Sequence, residues 1–119
     1  MENSRFKFRL WAKDIEMYFG QPLIYINTDG KLVAEDGVKV YEIDQKAYIV
    51  EQCTGLKDKN GKLIYEGDII LVDDDKCPIE WDSDNARYNV VGYGEIAYLN
   101  YNDIEVIGNI HENKELLDD

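Results

Sequence analysis

Alternation of apolar and polar residues is the main pattern in this chain. Apolar side chains occupy every second position in residues 6–10 and again in residues 15–19, with a short polar link at residues 12–14. A period of two is typical of a strand that buries one face. The two segments therefore predict an N-terminal β-hairpin.

Short apolar runs separated by polar turns continue along the rest of the chain. The pairs Asp29-Gly30 and Asn60-Gly61 suit tight turns, and the five residues beginning at each pair echo one another. Because the echo ends there, it predicts one turn design used twice. The remaining strands are predicted near residues 23–26, 38–43, 47–53, 63–65, 69–72, 78–81, 87–93, 95–99 and 104–110.

This spacing of strands predicts an all-β protein built on a small SH3-like β barrel. Only residues 112–117 predict a short helical turn. We expect one domain over residues 1–119. Its weakest internal boundary falls at Glu51 to Gly55, between an N-terminal β segment (1–52) and the barrel portion (53–119).

Charge is strongly negative and unevenly distributed. The formal net charge is -12 and the pI is about 4.4. Residues 1–72 hold 12 acidic and 10 basic residues, whereas residues 73–119 hold 13 acidic and 3 basic residues. Phosphate backbones and anionic membranes would repel such a surface on average. The composition therefore excludes a strongly basic nucleic-acid binder, and no membrane association is expected.

The acidic surplus supplies a candidate interaction surface. It would face a basic partner or imitate nucleic acid, and the alternative interpretation is a set of solvated loops that keep the protein soluble. Consecutive acidic residues alternate faces on a strand, so a solvated run is favoured over a cation site. The candidate residues are Asp73, Asp74, Asp75, Glu80, Asp82 and Asp84.

Catalytic and metal-binding patterns are scarce. His111 is the only histidine and follows an apolar strand, so a packing role is favoured over a general base. Cys53 has no basic neighbour in sequence that would lower its pKa. We expect no catalytic residue, no metal and no cofactor. The two cysteines (Cys53 and Cys77), the polar N-terminus and apolar runs of only about four residues predict a cytoplasmic protein with reduced thiols.

Two interpretations remain open for the first strand. Arg5, Lys7 and Arg9 share one face, and with nearby aromatic residues they could bind a single strand weakly. The favoured interpretation is an ordinary solvent face. Direct nucleic-acid binding is therefore not expected.

The residues from Thr54 to Lys62, followed by Ile64 to Ile70, resemble the central signature of the YopX protein family. Residues 5–11 and 104–117 resemble that family's N-terminal strand and C-terminal strand and tail. The resemblance implies a phage or prophage protein of Gram-positive bacteria with an SH3-like barrel and no catalytic residue to carry over. His111 stands where the family usually has tyrosine.

The signature residues themselves are interpreted as architecture. The glycines would serve turns, and the two aspartates would accept hydrogen bonds from nearby backbone amides. A binding loop is the alternative. The residues are Gly55, Asp58, Gly61, Gly67 and Asp68.

Together these patterns predict a non-enzymatic protein-interaction module with a host or phage protein as partner. Exposed β edges and the nine tyrosines are the expected contact surfaces, and a homo-oligomer joined through edge strands is compatible with them. The alternative function is nucleic-acid-related, either as an acidic DNA mimic or as a weak single-strand binder.

Overall fold

The computed structural model describes residues 7–18, 23–35, 37–44 and 46–118. These residues confirm the all-β prediction, with short 3-10 turns at Ile96–Tyr98, Tyr101–Asp103 and Lys114–Leu117. The strands are β1 (Phe8–Ala12), β2 (Met17–Tyr18), β3 (Leu23–Ile26), β4 (Leu32–Glu35), β5 (Val40–Glu42), β6 (Tyr48–Lys57), β7 (Leu63–Tyr65), β8 (Asp68–Val72), β9 (Asp75–Asp82), β10 (Arg87–Val90), β11 (Gly94–Glu95) and β12 (Ile104–Asn109).

The strands of the described residues form three antiparallel sheets. Their strand orders are β2-β1-β6-β7, β3-β4-β5 and β11-β10-β9-β8-β12. The five-stranded sheet curls into a half barrel. Its concave face holds the larger core, because alternate residues of β8 and β9 point inward. This core contains Ile64, Ile70, Val72, Cys77, Ile79, Val90, Ile96 and Ile104.

A second, smaller core belongs to the N-terminal part of the chain. Leu10 of β1, Ala34 of β4 and Ile43 are buried together, and partly buried Tyr48 and Val50 of β6 pack against them. Each buried aliphatic side chain of this size contributes roughly 1.5–3 kcal/mol when removed from water. Among the side chains that the structure describes, Leu10 and Ile43 are the large aliphatic ones that are fully buried in this core.

Strand β6 connects the two parts. Its first half pairs with β1, from Phe8 opposite Gln52 to Ala12 opposite Tyr48, and its second half pairs with β7. Gly55, with a φ of 86°, lies in the irregular stretch of the β7 pairing, between Cys53 and Lys57. The sequence-predicted boundary between residues 52 and 53 therefore lies inside one continuous strand that both parts share.

The echoed turns have the same design. Asn27 Oδ1 accepts hydrogen bonds from the amides of Asp29 and Lys31. Asp58 Oδ1 accepts them from the amides of Asn60 and Lys62. Each turn thus uses one side-chain oxygen to hold two backbone donors, as expected for short polar side chains that precede a glycine.

The second turn has an additional role at the edge of the half barrel. Asp58 Oδ2 accepts from the amide of Val106 at 2.9 Å, and the amide of Lys59 donates to the carbonyl of Ile104 at 3.0 Å. Both partners belong to β12. The turn therefore provides hydrogen-bond partners for an amide and a carbonyl that would otherwise be unpaired at the edge of the sheet.

Some sequence expectations need correction. Residues 95–99 were expected to form a strand, but Ile96–Tyr98 is a 3-10 turn that buries Ile96 and leaves Tyr98 84% exposed. The turn contributes one buried side chain, Ile96, to the core, so this segment does not need the alternation of buried and exposed residues that a strand shows. The predicted helical turn near the C-terminus is present as Lys114–Leu117.

Parts of the two predicted N-terminal strands lie outside the described residues. These are Arg5 and Phe6 of the first strand and Phe19 of the second. Across the part of the chain that the structure describes, no helix has the length and apolar character to span a bilayer.

The Asp58 turn generates a stability prediction. We expect Asp58→Asn to destabilise the fold by about 1–3 kcal/mol, because an amide nitrogen would face the Val106 amide and leave that donor without an acceptor. The matched control is Asn27→Asp, where the same turn makes no such third bond, and its effect should be about 0.5 kcal/mol or less. Urea unfolding of both variants measures the difference. Equal effects would contradict the proposed role of Val106.

The same turn predicts acid sensitivity. Burial acts to raise the pKa of Asp58, but the amides of Val106, Lys62 and Asn60 outweigh it, so the pKa lies below its ordinary value. A carboxylate with a lowered folded pKa contributes stability that is complete above its unfolded pKa of about 3.9 and is lost as the pH falls through the folded value. Asp58→Asn should therefore reduce the loss of stability below about pH 4. Unfolding midpoints measured between pH 2 and 6 test this, and an unchanged pH profile would contradict it.

Candidate interaction surface and the ion cluster beneath it

The structure separates the predicted acidic residues into groups. Asp73 and Asp74 form the β8–β9 turn, whereas Asp82 and Asp84 lie at the far end of β9. A strand of eight residues spans roughly 23 Å at 3.3 Å per residue. The six candidates therefore do not converge on one site. Glu80 lies on β9 between the groups, and it is exposed and lines the groove described below.

Several of these carboxylates organise their own loops. Asp82 accepts hydrogen bonds from the amides of Asp84 and Asn85 and from the side chains of Asn85 and Asn89. The Asn85 side chain is the largest of the influences that hold the pKa of Asp82 below its ordinary value. Asp75 accepts from the Tyr93 hydroxyl. Among the described residues, no three His, Cys, Asp or Glu side chains are placed to hold a metal ion.

The signature glycines and aspartates lie at backbone irregularities. Gly61 and Gly67 have φ values of 79° and 87° in the turns before β7 and β8. Asp68 Oδ2 accepts from the amide of Tyr65, which closes the turn between those strands. Only Gly55 differs in setting from the sequence expectation, because it lies within β6 and not in a turn between strands.

An ion cluster that sequence reasoning missed lies at this turn. Its centre is Glu51, which is only 3% exposed. Glu51 Oε1 accepts from Arg9 Nε at 2.8 Å and from the Tyr18 hydroxyl at 2.9 Å, and Glu51 Oε2 lies 3.0 Å from His111 Nε2. Arg9 also pairs with Asp68 at 2.8 Å. We call these residues the Glu51 cluster: Arg9, Tyr18, Glu51, Asp68 and His111.

Aromatic rings enclose the cluster. The Arg9 guanidinium lies 4.7 Å from the ring centres of both Tyr18 and Tyr65. Trp11 stacks on His111 with ring centres 4.7 Å apart and an interplanar angle of 11°. Cations are attracted to aromatic faces, and the attraction grows when water is excluded. The packing interpretation of His111 agrees with this placement.

The charges of neighbouring groups and burial shift the pKa values of several residues in the cluster. Burial acts to lower the pKa of Arg9, but Asp68 and Glu51 outweigh it and the pKa is raised. Burial raises the pKa of Asp68 against the opposing effect of Arg9. Arginine does not lose its proton near neutral pH, so the guanidinium of this pair is charged there. Burial also raises the pKa of Tyr18, so its hydroxyl keeps the proton that it donates to Glu51.

Gly67 is required twice over. Its positive φ favours glycine, and a Cβ at this position would overlap the Glu51 carboxylate. Glycine is therefore the residue that fits beside the buried Glu51 carboxylate at this position.

Both sequence interpretations of Arg9 were wrong. It lies neither in a basic stripe nor on a solvent face, because its guanidinium points into the cluster. Lys7 is exposed, and Arg5 lies outside the described residues. The signal that could have revealed the cluster is Glu51 itself. It shares a face of β6 with Ile49 and Cys53, and an acid on an apolar face needs a cation.

A groove of about 370 Å³ lies beside the cluster, between β6 and β9. Its walls include Ile49, Ile79 and Trp81, and Gly67 lies among them. Trp81 is 48% exposed and packs edge-to-face against Tyr88, with ring centres 4.9 Å apart. We call this feature the Trp81 groove. Its lining includes three carboxylates, Glu51, Glu66 and Glu80, and no lysine or arginine among the residues that the structure describes.

A larger hollow of about 700 Å³ lies between the β8–β9 turn and residues 116–118. It brings Asp74 and Asp75 together with Lys76 and Tyr93. Asp118 also lines it, so Lys76 opposes three acidic charges, and Asp75 already accepts a bond from Tyr93. Unlike the Trp81 groove, this hollow has no tryptophan among its described lining residues.

Comparison with known proteins places the chain in a defined group. The family described as YopX protein matches residues 7–118. The crystal structure of protein EF1440 from Enterococcus faecalis is similar in fold, with a TM-score of 0.63 and 28% sequence identity. The similarity covers 94% of this chain and 97% of that chain. No curated protein matches the chain.

The Glu51 cluster predicts unequal costs for two glycine substitutions. Gly61→Ala should cost about 1–2 kcal/mol, since its φ is positive but no atom lies within 4 Å of the new Cβ. Gly67→Ala carries that cost and also displaces Glu51, so the total should exceed about 3 kcal/mol. Chemical denaturation of both variants measures this. A Gly67→Ala variant no less stable than Gly61→Ala would show that Glu51 moves aside at little cost.

Removal of the buried cation generates a further prediction. Arg9→Met should cost about 3–5 kcal/mol, because Glu51 and Asp68 would remain buried without their partner. Lys7→Met is the control, and its effect should stay within about 0.5 kcal/mol since Lys7 is exposed. Because burial raises the pKa of Asp68, part of the Arg9→Met loss should be recovered as the pH falls and that carboxyl protonates. Thermal midpoints at pH 5 and 7 test both statements, and an Arg9→Met variant as stable as Lys7→Met would contradict them.

Proposed function

The chain belongs to the YopX protein family, and we propose that it is a non-enzymatic module of a phage or prophage that binds a host or phage protein through the Trp81 groove. The observation that carries the proposal is Trp81, a large aromatic side chain that remains half exposed at the rim of a groove with apolar walls. Tryptophan is among the residues that most often dominate the energy of protein interfaces.

The groove is also preorganised. Its walls come from two long strands, and the position of Gly67 is fixed by the Glu51 cluster. Binding to a rigid surface loses less conformational entropy than binding to a mobile one. A groove built this way suits recognition of an extended protein segment.

The side chains with chemical reactivity have other roles. His111 is stacked on Trp11 and bonded to Glu51, and burial raises the pKa of the Cys53 thiol. Both features disfavour a nucleophile or general base at these positions. Cys53 and Cys77 are free and buried, which is consistent with a role in the host cytoplasm.

The dispersal of the acidic residues favours the groove over a nucleic-acid mimic. Asp73 and Asp74 lie at one end of β9, and Asp82 and Asp84 lie at the other. A mimic needs carboxylates spaced along one continuous surface, whereas two of these six, Asp75 and Asp82, already accept hydrogen bonds within the chain. We therefore assign partner recognition to Trp81 and its surroundings.

A capture experiment tests the proposal. Tagged wild-type protein, Trp81→Ala and Tyr98→Ala are exposed to extracts of phage-infected host cells, and captured proteins are identified by mass spectrometry. Tyr98 is the matched control, since it is the more exposed aromatic and does not line the groove. We expect one protein to be captured by wild type and by Tyr98→Ala but lost with Trp81→Ala.

Two outcomes would overturn this assignment. One is a captured set that is identical for all three proteins, and the other is no capture at all. Sedimentation of the same three proteins serves as a companion measurement. Self-association that Trp81→Ala abolishes would replace the foreign partner with a second copy of this chain.

A further inference from the structure

We propose that the Trp81 groove receives an arginine side chain of its protein partner, with the guanidinium against the Trp81 ring and the carboxylate of Glu66. Glu80 also lines the groove and adds negative charge, although its side chain points to the opposite face of β9 from Trp81. This inference rests on the proposed function and names the chemistry that the groove recognises.

Uncompensated charge is the first observation. Of the three carboxylates that line the groove, Glu51 is already paired with Arg9 in the cluster. Neither Glu66 nor Glu80 forms a salt bridge with any residue that the structure describes. The groove therefore presents two negative charges beside an exposed aromatic ring.

Of these two carboxylates, Glu66 is the better placed to bind a cation. Its Oε1 accepts from the amide of Gln52 at 2.9 Å, and within the described part of the chain no donor reaches its Oε2. Burial, with a contribution from Glu51, raises the pKa of Glu66 against the opposing effects of the Gln52 amide and of Arg9. Glu66 and Trp81 line the same groove. A bound cation would offset a charge that is only partly solvated.

The Glu51 cluster provides an internal example of the same recognition. There, Arg9 lies between two aromatic rings and pairs with two carboxylates. The groove offers the same group types from Trp81, Glu66 and Glu80. A planar guanidinium can stack on a ring and donate to carboxylates at its edge, whereas an ammonium group does so less well. This difference favours arginine over lysine.

The experiment uses a blocked, glycine-flanked arginine peptide as the probe, with the citrulline peptide as a neutral control of nearly the same shape. Binding is followed by the NMR shift of the Trp81 indole N–H, which is distinct from that of buried Trp11. We expect saturable shifts at Trp81 and at the Glu66 and Gly67 amides with arginine, weaker binding of a lysine peptide, and no saturation with citrulline.

Matched charge variants separate the groove from the overall charge. Glu66→Gln/Glu80→Gln should weaken arginine binding about tenfold, equal to 1.4 kcal/mol. Asp73→Asn/Asp74→Asn changes the net charge equally at the other end of the sheet and should weaken it less than about twofold. Glutamine at position 66 keeps an oxygen for the Gln52 amide, so the first variant should fold normally, which its thermal midpoint checks.

Equal weakening by both double variants would overturn the inference, because the overall charge would then account for binding. Saturation with citrulline, or no saturation with arginine, would overturn it too. In the last case, a protein still captured through Trp81 would leave the proposed function standing. Loss of groove-dependent capture removes the proposed function whatever the peptide does, so the two failures are distinguishable.

Discussion

The carboxylate of Glu51, buried in the middle of β6, is the constraint on which the rest of the architecture depends. An isolated ion in such a position is costly, and partners must surround it with good geometry. Arg9 comes from β1 and Tyr18 from β2, whereas His111 follows β12. One side chain therefore fixes how the N-terminal sheet meets the half barrel. The small N-terminal core could not specify this alone, since apolar contacts tolerate sliding and hydrogen bonds to one carboxylate do not.

The buried Glu51 carboxylate also explains why glycine is required at position 67 and why a groove lies beside the cluster. Gly67 leaves space for the Glu51 carboxylate, and this close approach positions the turn before β8 against β6. The space that remains between β6 and β9 is the Trp81 groove. Glu51 lines that groove on one side and is paired with Arg9 on the other. The groove and the buried cluster are thus two sides of one structural arrangement, and disturbance of the cluster would also disturb the groove.

Local pattern was sufficient for the strands and for the turns that connect them. Period-two alternation located nearly all of them, and the resemblance between the Asn27 and Asp58 turns is visible in sequence because both depend on neighbouring residues. The strand predicted at residues 95–99 failed because one buried residue, Ile96, satisfies the core without alternation. Positions whose role depends on distant partners were misjudged for a different reason. Arg9 follows the alternation of β1 as a polar residue, and nothing near it in sequence shows that Glu51 and Asp68 lie beside it.

Charge acts at two distances in this protein, and the distinction determines what each acidic residue contributes. The carboxylates at the ends of β9 are roughly 23 Å apart, which exceeds the Debye length of about 8 Å in physiological salt. They can raise the rate at which a basic partner approaches, but they do not select its orientation. Glu66 and Glu80 line the Trp81 groove, where partial burial reduces screening and an aromatic ring limits the approach. In the proposed function, the acidic surplus after residue 72 would therefore attract a basic partner in general terms, whereas the groove would distinguish one cationic side chain from another.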